Sequence, residues 1–389
     1  MKKLFALSLS LLMMVSCSSA QKEIQVGALS FDEYLPLLEG KRVSILSNQT
    51  GMVSSTTHLL DTLLDMGVNV VSIMSPEHGF RGVADAGEHV SSSIDPETGI
   101  PIRSLYESGV NRPSDESMAE FDVMVFDLQD VGVRFYTYNA TMARMMDACA
   151  QFGKKMIVLD RPNPLGYYVD GPILDMKYKS GVGWLPVPVV HGMTLGELAL
   201  MINGEGWLKD GIQCDLTVVP CKNYTRDMEY VLPIKPSPNL PDMRSIYLYP
   251  STCYFEATPV SLGRGTDKPF QIYGHPDMTG YDFSFTPRSV PGAKNPPQLD
   301  KLCYGVDLSS LPIEEIKARG INLEYVIDAY NNLKLDDKKM FRSFFELLIG
   351  QGYVREMIVE GKSAAEIEAM WADDVVKFKE QRAPYLIYE

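Results

Sequence analysis

The feature of this sequence that most constrains its fold is a set of apolar runs that are continuous rather than alternating. A strand with one face in water alternates apolar and polar residues, whereas a strand buried on both faces is apolar almost throughout. Because helix-like segments separate the runs, the pattern predicts a parallel sheet covered by helices. Six runs are predicted as strands: RVSILS (42–47), VNVVSIM (68–74), FDVMVFDL (121–128), KKMIVLD (154–160), VPVV (187–190) and CDLTVVP (214–220).

The segments between these runs carry the spacing and end signals of helices. Residues 56–67, TTHLLDTLLDMG, place four leucines on one helical face and close with a glycine. Thr194 and Glu197 have the spacing of a capping box at the start of another helix. Residues 139–153 predict a third helix, with Cys149 on its apolar face as a core residue.

The order of these segments predicts two domains after a leader. We predict that residues 24–240 form a Rossmann-like catalytic domain with a parallel sheet. Residues 241–389 then form a connecting segment and a smaller α+β C-terminal domain. From about 237 to 269 the chain is rich in Pro, Ser, Thr and Gly, which is typical of a long functional connection, here with a short helix inside it.

Residues 1–20 have the composition of a secretory signal. Lys2 and Lys3 precede an apolar segment, Leu4 to Val15, that is short for a permanent membrane span. The sequence MVSC favours a lipoprotein signal with Cys17 as the lipidated residue, and cleavage after SSA is the alternative. We therefore expect export, with membrane attachment only through an N-terminal lipid.

Composition excludes some functions and weakens others. A net charge of −14 argues against a nucleic-acid partner, because phosphate binding needs a basic face. The first predicted strand ends in SNQTG rather than a GxGxxG or Walker loop, so no nucleotide cofactor is expected. Five scattered cysteines beyond Cys17, with no CxxC, suit neither a disulfide framework nor a cysteine zinc site, and no metal site is predicted.

Polar side chains follow five of the predicted strands. In an open parallel sheet, ligands bind beyond the carboxyl ends of the strands, so these side chains are expected to converge at one edge. They are Asn48, Gln49 and Thr50; Glu77, His78 and Arg81; Asp127, Gln129, Asp130, Arg134, Tyr136, Tyr138 and Asn139; Asp160, Arg161 and Asn163; and His191.

Several of these residues also have a structural interpretation. Asn139 has the position of a helix cap, and Arg134 could pair with Asp127 or Asp130. Asp160 precedes a proline turn, and His58 is expected to be a structural surface residue. Glu77 and His78 favour function, because adjacent ionisable groups are costly to bury without a role.

The residue types point to one class of chemistry. Carboxylates are abundant at the strand ends, and Glu256 joins them in a segment rich in aromatic residues. Two carboxyl groups beside aromatic platforms are the components of glycoside hydrolysis, in which one protonates the leaving oxygen and the other activates water or attacks. No G-x-S-x-G or H-E-x-x-H motif is present.

Long motifs in the same order as in a known family make this hypothesis specific. The sequence resembles the exo-β-N-acetylmuramidase family of bacterial peptidoglycan hydrolases, over essentially the whole chain after the leader. The motifs are SPEHGFRG, GEHVSSSIDPETGIPIRSLY, VFDLQDVGVRFYTY, VLDRPNP and YFEATPVSLGRGTDKPFQIYG. It is similar to members from Bacteroidetes-type bacteria, which fits the lipoprotein-like leader and an expected location in the periplasm or on the outer membrane of a Gram-negative organism.

The resemblance implies a fold, an activity and a site. The site would lie in a cleft between a Rossmann-like domain and a smaller C-terminal domain. The activity would be release of terminal β-linked N-acetylmuramic acid from the non-reducing end of peptidoglycan fragments, without a cofactor. Glu77 of PEHG is the first candidate for the catalytic carboxylate, with Asp130 and Asp127 ahead of Glu256 and Glu88 as its partner. A substrate-assisted route through the acetamido group stays open.

The remaining candidates are substrate-binding residues. N-acetylmuramic acid carries a lactyl carboxylate, and an acidic protein needs a local cation to bind it. Candidates are Arg81, Arg134, Arg161 and Arg264 for the carboxylate, and His78, Tyr136, Tyr138, Asn139, Asn163, His191 and Glu256 for the rest of the sugar. The alternatives to a glycosidase are a non-catalytic cell-wall sugar-binding lipoprotein and a Rossmann-like transferase or oxidoreductase, the last disfavoured by the missing phosphate loop.

Overall fold

A seven-stranded sheet organises the N-terminal part of the protein. The computed structural model describes residues 22–76, 80, 92–105 and 112–389. Its strands in this sheet are β1 Val43–Ser47, β2 Val70–Ser75, β3 Ser93–Ile94, β4 Pro101–Ser104, β5 Val123–Asp127, β6 Lys155–Leu159 and β7 Asp215–Val219.

The strand order across the sheet is β3-β4-β2-β1-β5-β6-β7. All neighbours pair in parallel except β3, which runs antiparallel to β4 at one edge. From β1 the chain moves outward to β2 on one side, and it later returns to place β5 on the other side. The sheet therefore has a topological switch point between β1 and β5.

Helices cover both faces of this sheet. Ile45 and Val125 point into one apolar layer with Leu60, whereas Leu46 and Phe126 point into the other with Met142. The central strands β1, β2, β5 and β6 are thus buried on both faces, which is why their sequences are mainly apolar. The helices of this part are α1 Phe31–Leu38, α2 Leu59–Asp65, α3 Asp115–Ala119, α4 Tyr138–Gln151 and α5 Leu195–Gly204.

The C-terminal part combines a small antiparallel sheet with short helices. Its strands, in the order β8-β10-β9, are β8 Ile272–His275, β9 Phe283–Phe285 and β10 Cys303–Asp307. Its helices are α6 Met243–Thr252, α7 Ile313–Arg319, α8 Glu324–Leu333, α9 Asp337–Met340, α10 Phe344–Ile349, α11 Tyr353–Val359, α12 Ala364–Glu368 and α13 Ala372–Arg382. One apolar cluster runs without a break from α4 of the first part to Phe255 and Phe345 of the second.

The fold predicted from the sequence is confirmed in its main features. Five of the six predicted strands are present, the capping box of Thr194 and Glu197 forms, and Cys149 is a buried core residue. All five described cysteines are buried and free. None of the described helices is long and apolar enough to cross a membrane.

Two local predictions are wrong, and one local element was missed. The run VPVV is not a strand of the sheet: Val190 forms only isolated bridges, because Pro186 and Pro188 have no N–H to give to a ladder. The antiparallel edge formed by β3 and β4 was not predicted. The apolar pattern of KKMFRSFFELLIGQG (338–352) predicts one helix, but the structure divides this segment between α9 and α10, with Arg342 between them.

Candidate functional site

The carboxyl ends of β1 and β5 define the candidate site. Ser47 ends β1 and stands in register with Asp127, which ends β5. The Ser47 hydroxyl donates to the carbonyl oxygen of Asp127 at 2.9 Å, so the two ends are tied together. Because this is the topological switch point of the sheet, a ligand site is expected beyond these two strand ends.

The loop after β1 is fixed by side-chain hydrogen bonds. Asn48 donates from Nδ2 to the hydroxyl of Tyr138 at 2.6 Å and accepts at Oδ1 from the Thr50 hydroxyl at 2.6 Å. The Thr50 hydroxyl also accepts from the backbone N–H of Gln129 at 3.1 Å. These bonds join the loop after β1 to the loop after β5 and to the first turn of α4, which makes this edge rigid.

His58 helps to hold the same loop. Its Nε2 lies 2.8 Å from the carbonyl oxygen of Asn48, and its Nδ1 accepts from the N–H of Leu60, so it is the N-cap of α2. Burial lowers the pKa of His58, more than the neighbouring carboxylates raise it. The expectation of a surface residue is therefore wrong, because the ring is buried against Phe80 and bonded on both sides.

Asp127 forms a closed ion pair with Arg161. Arg161 donates from Nε to one carboxylate oxygen at 2.6 Å and from Nη2 to the other at 2.9 Å, and both side chains are almost fully buried. Burial acts to lower the pKa of Arg161. The charge of Asp127 and its hydrogen bonds have the larger combined effect, so the pKa of Arg161 lies above its ordinary value. The bidentate geometry occupies both Asp127 oxygens and the Nε and Nη2 edge of Arg161, which favours a positioning role for both.

Asp130 is a different kind of carboxyl group. Its Oδ2 accepts from the N–H of Gly132 at 2.7 Å, whereas its buried Oδ1 has no partner among the described residues. Burial raises the pKa of Asp130 to about 7, although nearby backbone N–H groups act in the opposite direction. Gly132 has a φ of 84°, and a side chain there would collide with Asn163. Asp130 is therefore a carboxyl group that keeps its proton up to about neutral pH.

Aromatic residues line a pocket beside this edge. The rings of Tyr136 and Tyr138 meet edge to face at 4.7 Å, and the Tyr136 hydroxyl donates to the carbonyl oxygen of Pro236 at 2.8 Å. The pocket has a volume of about 80 Å³ and extends from these rings to Tyr249 and Phe270 of the C-terminal part. Such rings present both apolar faces and hydroxyl groups, as sugar binding requires.

Glu256 and Arg264 form the far wall of this pocket. Arg264 donates from both Nε and Nη2 to the same oxygen of Glu256, with the Nε distance at 3.2 Å. Its guanidinium also lies 5.0 Å from the centre of the Phe270 ring. Both side chains remain partly exposed, 18% for Arg264 and 24% for Glu256, so they face the pocket as a charged pair.

Two further cavities extend the pocket into a groove. One, of about 400 Å³, lies on the other side of Glu256 and Arg264 and reaches Arg342 and the segment 292–297. The other, of about 490 Å³, lies between Gln49 and the segments 233–238 and 291–292. The groove therefore runs along the carboxyl edge of the sheet, between residues of the N-terminal and C-terminal parts. A larger cavity, of about 590 Å³, lies at the opposite edge, before β1 and β2, and is lined mainly by apolar side chains.

Besides Arg161, four of the predicted binding residues lie in the interior and line none of these cavities. Arg134 donates to four backbone carbonyl groups and is fully buried. Asn139 does not cap α4; its amide donates to three carbonyl groups of the preceding loop. Asn163 bridges the N–H of Leu165 and the carbonyl of Met193. Burial, assisted by two nearby arginines, lowers the pKa of His191 to about 3.

The motif SPEHGFRG lies largely outside the described residues. Glu77, His78, Arg81 and Glu88 are among the residues that the structure does not describe. Strand β2 ends at Ser75, beside β1 and at the same edge of the sheet. The assignment of Glu77, His78, Arg81 and Glu88 as site residues therefore stays a prediction.

Some residues that line the groove were not among the predicted site residues. Tyr249 lies in α6, within a segment whose aromatic residues suggested only a connection, and Phe270 follows it in the same segment. Arg342 was hidden because the segment around it was predicted to be helical throughout. It lies instead at the break before α10, where its Nη2 donates to the carbonyl oxygens of Glu256 and Thr258.

The fold and the groove define a class: a two-part α/β protein with carboxyl groups, tyrosines and an arginine at its switch point. Comparison with known proteins makes the class specific. Residues 43–244 match the N-terminal model, and residues 247–388 the C-terminal model, of the exo-β-N-acetylmuramidase NamZ family. The chain belongs to this family of glycosidases.

Individual relatives support the same assignment. The chain is 37% identical over 373 residues to the peptidoglycan β-N-acetylmuramidase NamZ of Bacillus subtilis, which covers 92% of this chain and 89% of that protein. It is similar to two crystal structures of DUF1343 family proteins from Bacteroides fragilis. The first has a TM-score of 0.88 and 61% identity, covering 95% of this chain and 99% of the other. The second has a TM-score of 0.78 and 29% identity, covering 94% and 99%.

Proposed function

We propose that the protein is an exo-acting glycosidase that releases terminal β-linked N-acetylmuramic acid from the non-reducing end of peptidoglycan fragments. Its substrates would be glycans in which N-acetylmuramic acid is linked to N-acetylglucosamine, as arise in cell-wall turnover. The B. subtilis relative is named for this class of activity. The observation that carries the proposal is the arrangement after β5, where the Asp130 carboxyl group has one unpaired oxygen and Tyr136 and Tyr138 of the same loop and helix start line the groove.

Three of the candidate catalytic carboxyl groups lie among the described residues, namely Asp127, Asp130 and Glu256, and they differ in the role that each can fill. Asp127 and Glu256 are each held by an arginine, which occupies the carboxylate and favours a positioning role over proton donation. Asp130 has no such partner among the described residues and one unpaired oxygen. A general acid must hold its proton at the working pH, so Asp130 is the residue that we assign to protonate the leaving oxygen.

The second carboxyl group in this proposal is Glu77. When Asp130 delivers its proton to the glycosidic oxygen, the bond from that oxygen to the anomeric carbon breaks and water supplies the new hydroxyl group. Glu77 would activate that water, attack the anomeric carbon, or orient the acetamido group for attack. The anomer released first separates these routes, because a single displacement inverts the configuration and a double displacement retains it.

A direct assay tests the proposal. We expect the wild-type protein to hydrolyse a chromogenic β-N-acetylmuramide, and Glu77→Gln and Asp130→Asn each to lower kcat by about 100-fold or more while sugar binding is retained. Asp122→Asn, an exposed carboxylate paired with Arg42 before β1, is the matched control and should be fully active. A wild-type protein that binds the sugar without turnover would instead be the non-catalytic cell-wall lipoprotein.

We also propose that the protein is exported and anchored by a lipid on Cys17, in the periplasm or on the outer membrane. The support is the leader composition alone, since residues 1–21 are not described. Metabolic labelling with an alkyne fatty acid tests it. Wild type should incorporate the label and Cys17→Ala should not, and equal labelling of the two would contradict the proposal.

A further inference from the structure

The groove contains a feature that concerns the choice between two closely related sugars. N-acetylmuramic acid is N-acetylglucosamine with an added lactyl ether, whose carboxylate is charged at neutral pH. The protein has a net charge of −14, so its overall field repels that group. Selection of the muramic form therefore requires a cation placed locally, and this inference rests on the proposed glycosidase function.

Two of the predicted arginines are already occupied. Arg134 is fully buried and donates to the carbonyl oxygens of Pro172, Val187, Leu348 and Ile349. Arg161 is closed by its bidentate pair with Asp127. Neither arginine lines a cavity of the groove, so neither guanidinium can receive a ligand without breaking the structure around it.

Arg264 differs from both in its position and in its remaining hydrogen-bonding capacity. It lies between the aromatic pocket and the adjoining cavity and lines both. Glu256 takes the edge formed by Nε and Nη2, through one oxygen only. Within the described part of the chain, Nη1 makes no hydrogen bond, so the end formed by Nη1 and Nη2 can still face a second carboxylate.

The surroundings hold this guanidinium in place. The Phe270 ring lies 5.0 Å from it on one side, and Glu256 fixes its rotation. Glu256 is in turn held by Arg342, whose Nη2 donates to the Glu256 carbonyl oxygen at 2.8 Å. A preorganised guanidinium loses little entropy when it binds a carboxylate and suits a two-oxygen contact.

We propose that Arg264, oriented by Glu256 and Phe270, receives the lactyl carboxylate of the terminal sugar and so selects N-acetylmuramic acid over N-acetylglucosamine. In this arrangement the sugar ring lies against Tyr136 and Tyr249, and the lactyl group points to the wall formed by Arg264. Arg342, in the adjoining cavity, adds a second positive charge behind it.

The test compares a chromogenic β-N-acetylmuramide with its lactyl methyl ester, which has nearly the same shape and no charge. For the wild type we expect kcat/KM to favour the acid by about 10- to 100-fold, because a hydrogen bond to a charged group contributes about 1.5–3 kcal/mol. In Arg264→Gln, kcat/KM for the acid should fall by this factor, mainly because KM rises. For the ester, kcat/KM should change little. Arg264→Lys keeps the positive charge but not the two-nitrogen contact. Its preference for the acid should therefore lie between those of the wild type and Arg264→Gln.

The control is Arg42→Gln, which also removes an arginine from an arginine–aspartate pair but lies before β1 at the opposite edge of the sheet. It should keep the preference of the wild type. The inference is overturned if the wild type treats acid and ester alike, which needs no variant to fold, or if Arg264→Gln lowers both substrates equally. A wild type that hydrolyses neither compound would contradict the glycosidase function itself, a result distinct from these two.

Discussion

Arg134 Nη2 lies 2.8 Å from the carbonyl oxygen of Ile349, which follows it by 215 residues in the chain. The same nitrogen donates to Leu348, and Nη1 donates to Pro172 and Val187. One buried side chain from the loop after β5 therefore joins the N-terminal part to the end of α10 in the C-terminal part. The groove lies between these two parts, so this contact helps to fix its walls.

Replacement of Arg134 should destabilise the whole protein. In Arg134→Met, four backbone carbonyl groups lose this donor in the interior, although that of Val187 keeps the N–H of Leu174, and each unpaired buried polar group costs about 1–3 kcal/mol. We expect the free energy of unfolding in urea to fall by at least about 3 kcal/mol. Arg42→Gln, which removes an exposed arginine, should leave the free energy of unfolding almost unchanged, because water and salt screen its ion pair. Equal small effects for the two variants would show that Arg134 does not hold the parts together.

Asp130→Asn should remove a pH dependence of stability. The pKa of Asp130 is about 7 in the folded protein and close to 3.8 when the chain is unfolded. Because the folded value is the higher one, the unfolded chain releases this proton first, and stability falls as the pH rises from about 4 through 7. We expect Asp130→Asn to exceed the wild type in unfolding free energy at pH 8, by up to about 4 kcal/mol, with no advantage at pH 4.

Thermal or urea unfolding between pH 4 and 8 measures this difference. Asp122→Asn is the control, because Arg42 lowers the pKa of Asp122 to about 2, chiefly through its hydrogen bond, and this shift has the opposite sign. The contribution of ionised Asp122 to the free energy of unfolding is complete above about pH 4 and is lost as the pH falls through 2. Asp122→Asn should therefore follow the wild-type slope between pH 5 and 8. A constant gap between Asp130→Asn and the wild type would mean that Asp130 is ionised throughout.

The sequence predicts the centre of the fold well because the strands there satisfy one physical requirement. Strands β1, β2, β5 and β6 are buried on both faces, and only long apolar runs meet that condition. The edge is harder to predict, because β3 has two exposed residues and β4 begins with Pro101. VPVV has the composition of a strand, but its prolines prevent pairing.

The site was predictable in position but not in the role of each residue. The rule that ligands bind at strand ends places Asn48, Asp127 and Asp130 at one edge, where they lie. It cannot distinguish Arg134 from Arg264, because the carbonyl groups that occupy Arg134 belong partly to α10, far away in sequence. The division between structural and open arginines depends on tertiary packing, which local sequence does not encode.

Asp127→Asn should destabilise the protein by breaking a buried ion pair. Arg161 would then keep its charge in the interior without a counterion, which typically costs about 3–5 kcal/mol. The double variant Asp127→Asn/Arg161→Met removes both charges and should recover part of that loss. A double-mutant cycle of unfolding free energies measures the coupling, and purely additive effects would exclude the closed pair as a stabilising unit.

Tyr388 anchors the C-terminal segment to the loops that follow β6 and β7. Its hydroxyl donates to Asp160 at 2.7 Å and accepts from the N–H of Cys221 at 2.8 Å. Burial raises the pKa of Asp160 to about 6, whereas the hydrogen bonds from Thr194 and Tyr388 act to lower it. Tyr388→Phe removes a donor from the ionised form, so the pKa of Asp160 should rise further above 6.

Tyr388→Phe should therefore reduce stability more at pH 8 than at pH 5, because Asp160 is ionised in the folded protein only at the higher pH. We expect a loss of about 1–3 kcal/mol at pH 8, measured by urea unfolding at both values. Tyr385→Phe is the matched control, since the Tyr385 hydroxyl donates to Glu205 from a half-buried position and its loss should cost under about 1 kcal/mol at either pH. A Tyr388→Phe penalty that is the same at pH 5 and pH 8 would mean that the hydroxyl supports the backbone at Cys221 rather than the charge on Asp160.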